Sequence, residues 1–264
     1  MSGVVATVLR HELRRLRHHR GVMFAALGML LVSELVLRLT GTAPRALITM
    51  LNLVLLIVPL VALLVGVISW HASREFNELL LAQPVRRRDL FNALYLALVV
   101  PLAAAFATGL LVPFLLHRAL TPEAMPLLLT VLASGVALTF IFGGLALVIG
   151  VHVEDRLRGV TVALAVWLLL TVTYDGAVLL VATMFSDYPL ERPMLLLTLF
   201  NPVDLARTMI VMQSDTAALM GYTGAVMNRF LGSVLGTLTA VTGLLLWIFI
   251  PAWAGRRAFE RRDF

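Results

Sequence analysis

The sequence predicts an all-α, polytopic membrane protein with six transmembrane helices, an amphipathic helix at the membrane surface before the first span, and another between spans two and three. Three observations predict it. Mean hydropathy is +0.95, and charged residues make up 14% of the chain, against about 25% in an ordinary soluble domain. Six stretches reach the roughly 20 mostly apolar residues that cross a hydrocarbon core of about 30 Å. The basic residues gather at the ends of those stretches. Residues 1–264 read as a single transmembrane domain, without a soluble domain, long linker, low-complexity tract or internal repeat.

Residues 1–20 precede the first span. Val5, Leu9, Leu13 and Leu16 form an apolar stripe at helical spacing, opposed by Arg10, Arg14, Arg17 and His18. Such a helix lies in the interface, its apolar stem buried and its guanidinium groups among the headgroups. An arginine-rich start before an apolar run also suits a signal peptide. Here the run is long, contains Glu34 and Arg38 and lacks an A-x-A site, so a retained first span is expected. His11-Glu12 begins like the zinc motif HExxH, but Arg15 occupies the place of the second histidine.

The six spans are expected at about 21–39, 46–70, 90–116, 125–151, 160–185 and 230–254. Their orientation follows from arginine, the sole basic residue type apart from histidine, because positive charge near span ends stays on the cytoplasmic side. With the N-terminus inside, 15 of the 21 arginines fall on the cytoplasmic side: five within residues 10–20, Arg74, Arg86 to Arg88, Arg156, Arg158, and four within 256–262. The other side holds Arg38, Arg45, Arg118, Arg192, Arg207 and Arg229. Both termini are therefore expected in the cytoplasm.

Between spans two and three, residues 73–91 read SREFNELLLAQPVRRRDLF. As a helix this places Phe76, Leu79 and Leu80 on one face, with Arg74, Glu75 and Glu78 opposite. Pro84 forbids continuation because it lacks an N–H and clashes with the preceding turn. The cluster Arg86-Arg87-Arg88-Asp89 then sits where a span meets anionic headgroups. The alternative is a solvated loop with three topology-setting arginines.

The connection between spans five and six, 186–229, is the long one, and its apolar piece 194–200 is too short to cross. Asn201-Pro202-Val203-Asp204 reads as an N-cap followed by proline in the first turn of a helix through Leu205, Arg207 and Met212. Small helices resting on the outer membrane face are expected, with Asn201, Pro202, Asp204 and Arg207 as candidates for contact with an external partner. Packing at the membrane edge is the plainer alternative. Within the spans, Gly143-Gly144 and the Gly232/Gly236 pair allow close backbone approach, and Pro59, Pro101 and Pro113 are candidate kinks.

Charge inside the spans is expensive. Asp175 in the fifth span would cost on the order of 2.5 to 3.5 kcal/mol if ionised there. It is expected to face protein or water, or to be protonated, either as a pathway residue or in a hydrogen bond to Tyr, Thr or Ser. Glu34 and Arg38, four apart near the outer end of span one, read as a structural pair.

Several functions are excluded or disfavoured by what is missing. Without lysine there is no GxxxxGK[ST] loop to neutralise nucleotide phosphates. Without cysteine there are no disulfides or thiolate metal sites. Met184, Met194, Met209, Met212, Met220 and Met227 in or near the fifth-to-sixth connection hold thioethers that suit soft Cu(I). They lack a tight ligand cluster, so no metal site is assigned. No catalytic residue is assigned either: an intramembrane enzyme would need convergent polar catalysts, and a passive channel a ring of polar residues. The net charge of +6 is explained by topology rather than by nucleic acid.

The element order and the segment REFNELLLAQPVRRRDLF from Arg74 to Phe91 resemble the permease subunits of ABC-2-type transporters. There the first cytoplasmic loop carries the coupling helix that fits a groove on a separate ATPase. The resemblance implies that role for Arg74, Glu75, Phe76, Glu78, Leu79, Pro84 and Arg87. One departure is Phe76-Asn77 where a glycine often follows the acidic residues. WLLLTVTYDGAVLL around Asp175, LFNPVDLARTMIV from Leu199 and RRAFERRDF from Arg256 are similar to the NosY-like group of nitrous-oxide-reductase maturation systems. That likeness implies a homodimer in a bacterial inner (cytoplasmic) membrane, bound by two ABC ATPase subunits that hold ATP and magnesium. No cofactor is implied in this chain, and the expected contacts are those subunits, membrane lipid and a periplasmic β-helical maturation protein. The rival within the family is an exporter of lipid, drug or polysaccharide.

Overall fold

Six helices of the computed structural model are long and apolar enough to cross a membrane. The structure describes residues 20–74, 86–185, 191–213 and 234–261, and among these there is no strand. The first span, α1, is Arg20–Thr40. It stops at Gly41, whose φ of +70° is the left-handed conformation that glycine adopts without penalty. Thr42 and Pro44 then start α2, Ala43–Ala72. The next spans are α3, Arg87–Leu116, and α4, Met125–His152. The fifth is assembled from α5, Arg156–Leu168, a π-helical turn at Leu169–Thr173, and α6, Tyr174–Met184. Two short helices follow, α7 at Glu191–Leu199 and α8 at Pro202–Met212, before the last span, α9, Val234–Arg261.

Five of the six spans start and stop within a few residues of expectation. The last runs to Arg261, well past the apolar stretch ending near 254, because Phe259 is fully buried and holds those turns in place. The surface helices expected within 1–19 and 75–85 lie outside the described residues.

The spine of the bundle is α4, apolar on all sides and packed against α2, α3, α9 and α8. Glycines permit this closeness. A Cβ on Gly143 would lie 2.5 Å from Val99 Cγ1, and one on Gly66 of α2 would lie 2.5 Å from Ala146 Cβ. Pro59 in α2 deprives the Leu55 carbonyl of its helical partner. One residue along, Trp167 Nε1 donates to the Leu56 carbonyl at 3.0 Å, tying α5 to α2 beside the interruption. The fifth span is the least covered: 6% of its apolar window is buried, against 61% for α4.

Helix α8 does not rest on the outside of the bundle: it packs against α4, α9 and α2, whereas α7 packs mainly on α8 and keeps Leu196 and Leu199 exposed. Asn201, at their junction, is fully buried and donates through Nδ2 to the Leu170 carbonyl at 2.8 Å. Trp247 Nε1 of α9 donates to the Leu199 carbonyl at 3.1 Å. Leu170 and Trp247 each lie roughly 21 Å along their helices from Arg156 and Arg261, at 1.5 Å per residue. Two independent ties therefore place the junction well inside the bundle. Side chains meet polar backbone groups at the turn, as irregular backbone at such depth requires.

Candidate functional site

One polar assembly stands at the arginine-rich end of the bundle, and another lies deeper, between the fifth span and α8. At the arginine-rich end, the last turn of α2 and the first of α3 are the feet of residues 75–85. Trp70 and Phe91 stand on these feet, and Phe259 of α9 inserts between them. Its ring centroid is 5.9 Å from Trp70, edge to face, and 5.8 Å from Phe91. Phe91 and Phe259 are completely buried. Around this plug, Glu260 Oε1 lies 2.9 Å from Arg88 Nε, and Arg87 Nη1 donates to the Glu260 carbonyl at 3.1 Å. Arg256 approaches the same carboxylate at 3.8 Å. His71 has its ring nitrogens 2.8 Å from the Val67 carbonyl and 3.0 Å from that of Val153, joining the end of α2 to the turn before α5.

Of the residues assigned to coupling, Arg74 and Arg87 are described, one at each foot. Glu75, Phe76, Glu78, Leu79 and Pro84 lie outside the described residues. Sequence reading missed Phe259, which bridges both feet, and Glu260, which binds the foot of α3. A signal existed in the alternation of aromatic, acidic and basic residues over 253–261, although it does not say what those residues meet.

Deeper in the bundle, Arg207 Nη1 is 2.7 Å from Asp175 Oδ2 and 3.0 Å from Asp204 Oδ1. One guanidinium thus joins the fifth span to α8. The Asp204 side chain is 13% exposed, that of Arg207 33% and that of Asp175 36%. Burial pushes the Asp204 carboxyl up to about 7; the neighbouring Asp175 carboxylate adds to this and Arg207 opposes it. Tyr174 donates its hydroxyl to the Leu197 carbonyl at 2.6 Å rather than to Asp175. The expected Tyr, Thr or Ser partner of Asp175 gives way to Arg207, which compensates a carboxylate far better.

Asn201 has two tasks here. Its Oδ1 accepts the Val203 N–H at 3.0 Å, capping α8 as the sequence predicts. Its Nδ2 satisfies Leu170, inside the π-turn where the helical hydrogen-bond ladder is interrupted. Asn201 and Pro202 are therefore buried, and of the four residues expected to meet an outside partner only Asp204 and Arg207 keep some exposure. Burial follows from the re-entrant course of α7 and α8.

A third cluster joins α1 to the end of α3. Glu34 Oε1 lies 2.6 Å from Arg38 Nε and 2.9 Å from His117 Nε2. The Glu34–Arg38 pair is as expected; His117 is an addition from a distant part of the sequence. Among the described residues no group of three or more His, Asp or Glu side chains is arranged to hold a metal ion.

A family model described as ABC-2 family transporter protein matches residues 23–264. The chain is also similar to the probable ABC transporter permease protein NosY of Pseudomonas aeruginosa, 25% identical over 221 residues, which cover 81% of this chain and 77% of the relative.

Proposed function

Because the chain belongs to the ABC-2 transporter family and is a permease subunit of an ABC transporter, we propose that it converts ATP hydrolysis by a separate ATPase into work across the membrane through residues 74–87. The permease itself is non-catalytic. The observation that carries this reading is the continuous family match, which runs through both feet of that loop and the last helix clamped upon them. Force delivered to a short amphipathic helix moves the spans only if its feet are rigidly set. Phe259 sets both feet, and Glu260 adds a hold on the foot of α3.

We further propose that the work is done on a periplasmic partner in copper-site maturation of nitrous oxide reductase, as suggested by the similarity to the NosY permease. Export of lipid, drug or polysaccharide is the second reading, favoured by the breadth of the family. The arginine distribution supports a cytoplasmic position for both termini. A second copy of the chain is proposed to cover the fifth span, which is nearly bare in the single chain and carries Asp175 one-third exposed. Asp175 would then face the space between the copies, sparing an ion pair from contact with hydrocarbon.

Affinity purification from detergent tests the coupling role. Phe76→Ala removes the apolar anchor and Glu78→Arg reverses a charge on the polar face. Each is expected to reduce recovery of the ATPase without lowering membrane insertion. Full recovery of the ATPase with both variants would overturn the assignment. The accompanying periplasmic protein, or its absence, separates maturation from export.

A further inference from the structure

We propose that the arginine-rich end of α9 and α3 forms a binding site for the headgroup of an anionic phospholipid. Leu245, Phe249 and Trp253 are 58%, 64% and 42% exposed and form a ribbon along α9. At helical spacing the ribbon continues into Arg256 and Arg257. Arg257 lies over the Trp253 ring, 5.2 Å from its centroid. The guanidinium is thus held at the level where an indole sits in a membrane interface. Arg86, Arg87 and Arg88 start the neighbouring helix and are exposed, and Arg88 reaches the shared Glu260. Within 86–89 and 256–261 there are six arginines and two acids, Asp89 and Glu260, a net charge of +4.

The continuity of ribbon and charge favours lipid over a soluble protein. From Phe249 to Arg257 is about 12 Å along the helix, so one occupant must be apolar on the Phe249 side and anionic at Arg257. A phospholipid has both parts in one molecule, whereas a soluble partner cannot follow the ribbon below the headgroups. Planar guanidinium groups also suit a phosphate better than point charges would.

The test uses the full-length chain in nanodiscs of equal phosphatidylglycerol and phosphatidylcholine, quantifying by mass spectrometry the lipid retained after transfer to detergent. Phosphatidylglycerol is expected to be enriched about fivefold or more over phosphatidylcholine. The enrichment falls close to unity in Arg256→Gln/Arg257→Gln and is unchanged in Arg118→Gln at the other end. Equal retention of both lipids by the native chain, or enrichment that survives the double substitution, would overturn the proposal. Loss of the enrichment when the ATPase is bound would assign the patch to that partner instead and also overturn it. Should the double variant fail to purify, high salt applied to the native chain must abolish the preference; a salt-insensitive preference overturns it equally.

Discussion

Asn201 bonds to Leu170 across 2.8 Å, from the start of a re-entrant helix to a carbonyl in the π-turn of the fifth span. This contact and the cap on Val203 use both ends of one amide. Asn201→Ala removes both and leaves a buried carbonyl without its donor, at a cost of about 1 to 3 kcal/mol. A lower melting temperature in detergent is expected. Asn201→Asp keeps the cap but turns an oxygen toward Leu170, so it should not recover native stability; full recovery would show that the cap alone matters.

Asp204 makes stability depend on pH. Its carboxyl binds a proton more tightly in the folded chain, at about 7, than at its ordinary value of 3.8. The stabilisation from that proton is complete below the ordinary value, declines as pH rises, and is gone above the folded value. Thermal stability should therefore fall between about pH 4 and pH 7. Asp204→Asn, which remains neutral, should flatten that fall. An unchanged slope in the variant would place the dependence elsewhere.

The spans were legible because crossing a bilayer demands a local property, a sufficient apolar length, which each span carries in its own residues. The helix cap at Asn201 was legible for the same reason. The re-entrant course of α7 and α8 was not, since the apolar piece near 194–200 looks the same on a membrane surface as inside a bundle. What decides is whether Leu170, Leu199 and Leu197 carbonyls find donors, and those donors come from Asn201, Trp247 and Tyr174. Likewise Asp175 gave no sign that its counter-charge would be Arg207, and nothing local to 254–261 reveals that Phe259 plugs the feet of α2 and α3.

The second copy proposed for the fifth span admits a direct test because the chain has no cysteine. Gly176 has nothing within 4 Å of the position a Cβ would take. Gly176→Cys is expected to give a disulfide-linked dimer on mild oxidation in membranes. Leu31→Cys, on the exposed side of α1, should remain monomeric. Cross-linking at position 31 but not 176 would move the interface to the first span.

Gly66 and Ala146 set the separation of α2 from the spine. A Cβ on Gly66 would stand 2.5 Å from Ala146 Cβ, and neither atom can turn aside because each is fixed to its backbone. The helices must separate, forfeiting packing along α2 and α4, where overpacking typically costs about 1 to 3 kcal/mol. Gly66→Ala should accordingly lower the melting temperature in detergent. Ala146→Gly removes the opposing carbon and should restore most of the loss when combined with it, while by itself it costs only about the glycine penalty within a helix, near 1 kcal/mol. A double variant no more stable than the sum of its single effects would mean that this contact does not set the spacing. Recovery in the double variant would make the pair interdependent, as direct contact requires.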